Sequence, residues 1–287
     1  MGDTLEHGTR ARVVEAFAPA KVNLTLHVTG QREDGYHTLD SLVMFADVGD
    51  HVRVSKAAKT TLRMVGPTAH NVPKGGDNLV LRAAALMGAT ASITLEKHLP
   101  MSAGLGGGSA DAVATIRALA ELTGQPAPAD LLPLGADAPV CAADAGAARM
   151  RGIGEQVTAV HGLPTLDAVL VNPKIPVLTD EVFRRLRNRD NTPLPDPIPT
   201  GEDAAALIEW LKGTRNDLEE PAIECEPVIA QVFSTLEVTP GCLLTRMSGS
   251  GGTCFGLYAD AETAASAAGR LSESHPNWWV TATQLNA

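Results

Sequence analysis

The stretch Pro100-Met101-Ser102-Ala103-Gly104-Leu105-Gly106-Gly107-Gly108-Ser109 decides how this chain folds around its site. Four of the five residues from 104 to 108 are glycine, and a helical pattern of apolar residues follows directly, from Ser109 to Leu122. Glycines let backbone N–H groups approach a ligand closely, and a helix N-terminus carries about half a unit of positive charge. We therefore predict an anion site, most naturally for nucleotide phosphates. The alternative is a glycine-rich turn without a ligand.

The loop differs from two common nucleotide-binding motifs. No Lys follows its last glycine, as a Walker A loop requires. The segment before it ends in Leu99-Pro100, and no acidic residue follows a second strand at the spacing of a ribose-binding residue, which argues against a Rossmann fingerprint.

Composition narrows the class of protein. The chain has 287 residues, 44% of them hydrophobic and 20% charged, which predicts a folded protein of one or two domains. Lys and Arg number 23 against 33 Asp and Glu, and a formal net charge of −10 disfavours binding to nucleic acid or an anionic membrane surface. No apolar run approaches the roughly 20 residues of a membrane span. The N-terminal residues show no export signal, so we expect a cytoplasmic protein.

The four cysteines, at positions 141, 225, 242 and 254, form no CxxC pair and have no His at ligand spacing. This pattern predicts reduced thiols rather than disulfides or a structural zinc site.

Strand and helix patterns alternate on both sides of the loop. Strict alternation at residues 22–28 predicts a half-buried strand, with Lys21, Asn23, Thr25 and His27 on one face. A turn signal follows at residues 32–35. Strands are further predicted at 42–46, 52–54, 91–95, 168–171, 254–258 and 278–283, and helices at 78–87, 109–122, 202–212, 226–236 and 261–271.

This alternation predicts an α+β protein in which the first strands form an antiparallel sheet. Gly and Pro punctuate residues 152–165, and we place the boundary of two domains there, with residues 1–155 in the first and 156–287 in the second. The prolines at positions 193, 195, 197 and 199 predict a stiff, exposed connector within the second domain.

Four further sites carry residues suited to chemistry, each with a plain structural alternative. Lys21 and Asn23 belong either to a functional site or to the solvated face of a sheet. Asp137, two residues before a proline, either caps a helix or accepts a proton from a hydroxyl that attacks phosphorus. Residues 248–252 form either a hairpin loop or a glycine-rich nest for a phosphate. Tyr36 is either a core tyrosine or a ring on which a base stacks, beside the polar His37.

Three of these segments, in the same order, resemble the motifs of the GHMP kinases, which include galactokinase, homoserine kinase and mevalonate kinase. They are residues 18–24, 100–109 and 247–252. Within that superfamily, residues 30–37, 105–109 and 134–140 are similar to the members that phosphorylate 4-diphosphocytidyl-2-C-methyl-D-erythritol in the non-mevalonate route to isoprenoids. The resemblance runs from about residue 16 to about residue 260.

The resemblance implies a fold and a reaction. The N-terminal half would be like ribosomal protein S5 domain 2 and the C-terminal half ferredoxin-like, with the active site between them. ATP would be the phosphoryl donor, with Mg²⁺ whose protein ligands the motifs do not name. Both substrates would be small molecules, and the protein would be a monomer or a weak homodimer.

The resemblance also implies roles for individual residues. Asp137 would be the base for the 2-hydroxyl of the acceptor, and Lys21 would orient the hydroxyl and offset negative charge. The ATP-binding residues would be Pro100, Met101, Ser102, Ala103, Gly104, Leu105, Gly106, Gly107, Gly108, Ser109 and Ala110, with Asn78 and Lys97 close to the nucleotide. Those binding the acceptor would be Tyr36, His37 and Phe183 at the cytosine, and Asn23, Thr179, Gly249, Ser250 and Gly251 at the erythritol and phosphates.

The chain departs from the family pattern in a few places. The segment 125–134 is short, Ser102 and Ala110 replace the commoner Gly and Ser, and Gly252 replaces Pro or Ala. Two other functions stay open. Another GHMP kinase would need no base-stacking ring such as Tyr36, and a catalytically inactive nucleotide-binding regulator would have no need of both Lys21 and Asp137.

Overall fold

A computed structural model describes residues 12–73, 75–143 and 145–286. The first residues, on which the export-signal prediction depends, lie outside the described part. The described strands are β1 (Val13–Asn23), β2 (His27–Gln31), β3 (His37–Lys56), β4 (Thr61–Val65), β5 (Ala91–Glu96), β6 (Ala147–Gly152), β7 (Gln156–Ala159), β8 (Leu166–Asn172), β9 (Leu244–Met247), β10 (Cys254–Tyr258) and β11 (Trp279–Leu285). The described helices are α1 (Leu79–Leu86), α2 (Gly107–Thr123), α3 (Ala138–Ala142), α4 (Thr179–Arg185), α5 (Ala204–Lys212), α6 (Glu219–Cys225), α7 (Val228–Glu237) and α8 (Ala261–Ser274).

The 20-residue strand β3 is the spine of the sheet. One of its edges pairs with β2 and then β1, and the other pairs with β6, β11 and β5 in turn. All of these pairs are antiparallel, as predicted for the N-terminal half, whereas β4 pairs in parallel with β5 at the outer edge. The residues of β3 therefore contact segments from both ends of the chain.

The second half follows a β-α-β-β-α-β order, from β8 through β9, β10 and α8 to β11. Its four strands lie side by side as β11-β8-β10-β9, with antiparallel pairing throughout. This is the ferredoxin-like arrangement that the resemblance implies. Leu285 of β11 pairs with Ala46 of β3 and so joins the two halves. Residue 155 lies in the turn between the paired strands β6 and β7, residue 156 begins β7, and the domain division there stays a prediction.

Two apolar clusters fix the position of the glycine loop. Helix α2 packs on the N-terminal sheet, where Ile116 and Leu119 share one core with Val52 of β3. A second core takes Leu99 and Leu105, at the two ends of the loop, together with residues of β8 and β10. The burial of Leu99 and Leu105 therefore anchors both ends of the loop in the core.

The half-buried strand predicted over residues 22–28 is wrong in two respects. Lys21, Asn23, Thr25 and His27 are all buried, because segments from both halves of the chain cover their face. The strand is also interrupted after Asn23, and pairing resumes with β2. The solvated-face alternative is therefore excluded.

Candidate active site

Lys21 and Asp137 meet although 116 residues separate them in the chain. The Lys21 ammonium donates to Asp137 Oδ1 at 2.9 Å, and the two side chains are 5% and 32% exposed. Asp137 precedes α3 at the N-cap position, yet its side chain makes no capping hydrogen bond there. The helix-capping alternative is therefore excluded, and the carboxylate is held by the ammonium instead.

Gly106 lies directly against this ion pair. It takes the left-handed conformation, with φ of 63°, immediately before the 17-residue helix α2. A Cβ at Gly106 would lie 3.4 Å from the Lys21 Cβ and Cε atoms and 3.5 Å from Asp137 Oδ2. The first N–H groups of a helix have no partner within the helix and attract an anion. The ion pair therefore lies beside the N-terminus of α2, the end of a helix that attracts anions.

The glycine loop is tied to β1 by its backbone. The Lys21 amide donates to the Leu105 carbonyl at 2.9 Å, so the strand that carries the ammonium also holds the loop. Residues 248–252 form the second glycine loop. Gly104, with φ of 70°, lies so close to it that a Cβ on Gly104 would clash with the Ser248 carbonyl oxygen. Ser102 has φ of 48°, a conformation that favours glycine and that matches its departure from the family pattern.

Ser248 joins all three motifs through one hydroxyl group. Its Oγ accepts from the Asn23 amide at 3.0 Å and donates to the Gly104 carbonyl at 2.8 Å. The second glycine loop does connect two antiparallel strands, β9 and β10, as a hairpin does. It also packs directly on the first glycine loop, so the second loop is both a hairpin connection and a part of the candidate site.

Sequence reasoning missed Asn216, which shapes the second loop. Its buried Nδ2 donates to the carbonyls of Met247 and Gly249, each at 2.8 Å. A single Asn between helices carries no signal of this role. On the open side of the same loop, the hydroxyls of Thr179 and Ser250 lie 2.8 Å apart, so these two predicted residues are neighbours.

His37 and Phe183 form an aromatic pair at the other end of the site. Their ring centroids are 4.8 Å apart and their planes 20° from parallel. His37 Nε2 is buried with no hydrogen-bond partner among the described residues. Burial, and then the charge of Arg189, lowers the pKa of His37. Tyr36 is 62% exposed, which excludes the core-tyrosine alternative.

Asn23 offers a second polar atom without a partner. Its Nδ2 donates to the Ser41 hydroxyl at 2.8 Å, while its buried Oδ1 accepts from none of the described residues. That oxygen is 3.4 Å from the position of a Cβ on Gly249. It therefore lies buried beside the second loop, without a hydrogen-bond donor among the described residues.

Asn78 and Lys97 have partners inside the protein. Asn78 caps α1, with Oδ1 accepting from the Val80 amide and Nδ2 donating to the Pro73 carbonyl, both at 2.9 Å. The Lys97 ammonium is buried between the carboxylates of Asp50 and Asp111. The structure thus places both residues near the loop with their side chains already engaged.

A cavity of about 450 Å³ opens next to these two residues. Val65 lies in the wall of this cavity, and its backbone carbonyl accepts a hydrogen bond from the backbone amide of Lys97 at 2.8 Å. Asn78 Nδ2 lies 3.9 Å from Met64 Sδ on the same wall. The residues that line the cavity are Leu62, Met64, Val65, Gly66, Ala69 and His70.

Other kinds of site find little support in the described residues. Among them, no group of three or more His, Cys, Asp or Glu side chains could hold a metal ion. Burial raises the pKa of Cys141, close to Asp137, to about 12, so its thiol is not a ready nucleophile. Within the same residues, no helix combines the length and the hydropathy needed to cross a bilayer.

Comparison with known proteins gives the family. The family described as "GHMP kinases N terminal domain" matches residues 78–162, and "GHMP kinases C terminal" matches residues 201–277. A 4-diphosphocytidyl-2-C-methyl-D-erythritol kinase from Cereibacter sphaeroides is 54% identical over 93% of this chain and 98% of the relative. The chain belongs to the 4-diphosphocytidyl-2-C-methyl-D-erythritol kinase family of GHMP kinases. A member from Roseobacter denitrificans is 51% identical over 96% of this chain and 95% of the relative.

Solved structures agree with membership of this kinase family. A crystal structure of 4-(cytidine 5'-diphospho)-2C-methyl-D-erythritol kinase is 34% identical, with a TM-score of 0.75 over 95% of this chain and 99% of that one. A mevalonate kinase with a TM-score of 0.63 is only 11% identical and shows the fold alone. The predicted α+β GHMP kinase fold and the predicted family are confirmed.

Proposed function

We propose that the chain transfers the γ-phosphoryl group of ATP to the 2-hydroxyl of 4-diphosphocytidyl-2-C-methyl-D-erythritol. The observation that carries the proposal is the Lys21–Asp137 ion pair, which lies against Gly106 at the N-terminus of α2. Near-complete alignment with kinases of that name supports the identity of the acceptor.

Asp137 is the base in this reaction. Its Oδ1 is held by Lys21, while Oδ2 faces Gly106, where the acceptor hydroxyl would meet the end of the phosphate chain. A bond forms between the hydroxyl oxygen and the γ-phosphorus, the bond from that phosphorus to the bridging oxygen breaks, and ADP leaves. The hydroxyl proton passes to Asp137. Phosphoryl transfer depends mainly on position and charge, and the Lys21 ammonium supplies a fixed positive charge beside the transferring group.

The phosphates of ATP lie along residues 100–110. The amides at the start of α2 face the anion, and the buried Leu99, Ala103 and Leu105 keep the loop from shifting. The base of ATP enters the cavity of about 450 Å³ beside Asn78 and Lys97. Leu62, Met64 and Val65 in its wall offer apolar side chains to a flat purine, and Asn78 and Lys97 shape the wall with side chains that are already hydrogen-bonded.

Mg²⁺ takes most of its ligands from phosphates and water when it binds with a nucleotide, so one or two protein oxygens suffice. The described residues fit this arrangement rather than a metal cage. Ser109 would hold the ion, because its hydroxyl oxygen follows the phosphate loop and lies 3.5 Å from the position of a Cβ on Gly135, two residues before Asp137. The ion supplies charge neutralisation of the phosphates when bound.

The acceptor lies on the other side of the ion pair. Its cytosine stacks at His37 and Phe183, and the unpaired His37 Nε2 takes a hydrogen bond from or gives one to the base edge. The exposed Tyr36 closes over the base from the loop. The erythritol and phosphates contact Asn23 Oδ1, Thr179, and the Gly249, Ser250 and Gly251 loop.

The remaining parts of the proposal concern the partners, the oligomeric state and the cellular location of the protein. Both substrates are small molecules, the net charge of −10 speaks against nucleic acid as a partner, and the protein works as a monomer or weak homodimer in the cytoplasm.

A coupled assay of ADP release with three acceptors tests the proposal. Turnover is expected with the cytidylyl substrate, together with a new phosphomonoester signal in the ³¹P spectrum of the product. Turnover with mevalonate or homoserine and none with the cytidylyl substrate would assign another acceptor. Binding of ATP without any phosphorylated product would favour a nucleotide-binding regulator.

A further inference from the structure

Three charged side chains lie buried together behind the phosphate loop. Asp50 comes from β3, Lys97 follows β5, and Asp111 lies in the first turns of α2. Their side chains are 0%, 3% and 5% exposed. Asp50 and Asp111 have no place in the proposed chemistry, and Lys97 is turned toward them rather than toward the cavity.

Asp50 fixes the chain just before it enters the loop. Its Oδ1 accepts from the amides of His98 and Leu99, the latter at 2.9 Å, and its Oδ2 accepts from the Lys97 ammonium. Three consecutive residues are thus bound to one carboxylate. The segment that leads into the loop is therefore held to β3 from below.

Asp111 fixes the chain just after it leaves the loop. Its Oδ2 accepts from the same Lys97 ammonium at 2.7 Å. A Cβ at Gly107, the first residue of α2, would lie 3.7 Å from Lys97 Nζ and 3.8 Å from Asp50 Oδ2. The cluster therefore touches the helix end whose amides face the phosphates.

Stability alone does not account for this arrangement. A buried ion pair is often no more stabilising than apolar side chains of the same volume, because desolvation offsets the attraction. Geometry gives a better reason, since amides that grip a phosphate must be held to within about half an ångström. A single ammonium bound to both flanks of the loop sets the distance between them.

We propose that Asp50 and Asp111 are positioning residues for the phosphate loop, acting through the Lys97 ammonium. The inference rests on the proposed binding of ATP phosphates by residues 100–110. Lys97 then serves the nucleotide through the loop and not by direct contact with it.

The test measures binding of a non-hydrolysable ATP analogue by calorimetry to Asp111→Leu, Lys97→Met and the double variant. Each single change is expected to weaken binding at least about tenfold, because amides that move away from the phosphates lose hydrogen bonds to a charged group. The double variant, in which apolar groups replace the pair, is expected to bind no more weakly than Lys97→Met alone. Asp111→Asn should retain most of the affinity, because the amide has the shape of the carboxylate and its oxygen can still accept from Lys97.

A matched control separates positioning from general destabilisation. Thr239→Val removes a buried hydrogen bond to the Tyr258 hydroxyl, at the end of β10 away from the glycine loops. This variant should have a lower melting temperature, whereas its affinity for the ATP analogue should stay unchanged. Unchanged binding in Asp111→Leu overturns the proposal, and so does a double variant whose loss is the product of the single losses, because Lys97 would then contact the nucleotide independently. The readout needs no acceptor, so it holds whichever alcohol the enzyme phosphorylates.

Discussion

Replacing Asp137 by Asn removes the proposed base while leaving its surroundings in place. The amide keeps the shape of the carboxylate and an oxygen for the Lys21 ammonium, which lies 2.9 Å from Oδ1. It cannot take up the proton of the acceptor hydroxyl. General-base catalysis contributes about 10² to 10⁴ in rate, so we expect kcat to fall at least about a hundredfold. That loss corresponds to about 2.7 kcal/mol of transition-state stabilisation, at about 1.36 kcal/mol per tenfold.

Binding of ATP should barely change in the same variant, because the amides of the loop do not depend on Asp137. The carboxylate is 32% exposed, so solvent screens the lost ion pair and the folded state should be destabilised by only about 1 kcal/mol or less. The melting temperature should therefore stay close to that of the wild type.

The assay follows ADP release with both substrates varied, and calorimetry follows the ATP analogue. Asp130→Asn is the matched control, because Asp130 is an exposed carboxylate in the same segment and, within the described part of the chain, its side chain accepts only from the Leu132 amide. It should retain full turnover. A folded Asp137→Asn enzyme with near-wild-type kcat would refute the reasoning, since the proton would then leave by another route.

Three other perturbations follow from the geometry. Phe183→Ala removes one ring of the His37–Phe183 pair, so KM for the acceptor should rise about fivefold or more while KM for ATP stays constant. An equal rise in both KM values would contradict the assignment of the cytosine site. Gly104→Ala should reduce the affinity for the ATP analogue and lower the melting temperature more than Gly88→Ala does. Both glycines have positive φ, but a Cβ at Gly104 would clash with the second glycine loop, whereas a Cβ at Gly88 would meet no described atom within 4 Å. Equal effects would show that the contact between the two glycine loops is unimportant. Burial lowers the pKa of His27 below 6.5, so the folded state disfavours its protonation and the free energy of unfolding should decrease as pH falls below about 6.5. Urea unfolding at pH 7.5 and 5.5 should show a smaller difference for His27→Gln than for the wild type, and an unchanged difference would exclude His27 as a source of the pH dependence.

Elements with long, regular patterns could be predicted from the sequence. Helix α2 was expected over residues 109–122 and runs from Gly107 to Thr123, ending at the left-handed Gly124. Strands β8, β10 and β11 also fall where apolar runs place them. The meeting of Lys21 and Asp137 could not be derived from spacing, because local pattern says nothing about residues 116 positions apart. Only the resemblance to a family predicted it.

Short elements were missed for a physical reason. Strand β7 has four residues and β9 has four, so neither shows enough alternation to stand out from a loop. Helix α6 contains Pro221 near its start, where the missing N–H costs no hydrogen bond, although a proline usually indicates a break.

Buried polar residues outside the motifs could not be predicted either. Asn216, Asp50 and Asp111 are polar residue types that are mostly exposed in folded proteins. Their burial is decided by segments that reach them from elsewhere, as Lys97 reaches Asp50 across 47 residues. A single sequence gives the type of each residue but not the residue that pairs with it in the folded protein.

The pairing of Leu285 with Ala46 has a consequence for synthesis on the ribosome. Strands β1 to β6 can assemble while later codons are still being read, because a nascent chain folds from its N-terminal side. The first glycine loop then waits for the hairpin of β9 and β10, and the junction with β3 waits for β11, so the pairing between the two halves is complete only when translation has passed Leu285. A premature stop anywhere in the final helix would therefore release a polypeptide that carries both glycine loops yet lacks the strand that joins its two halves.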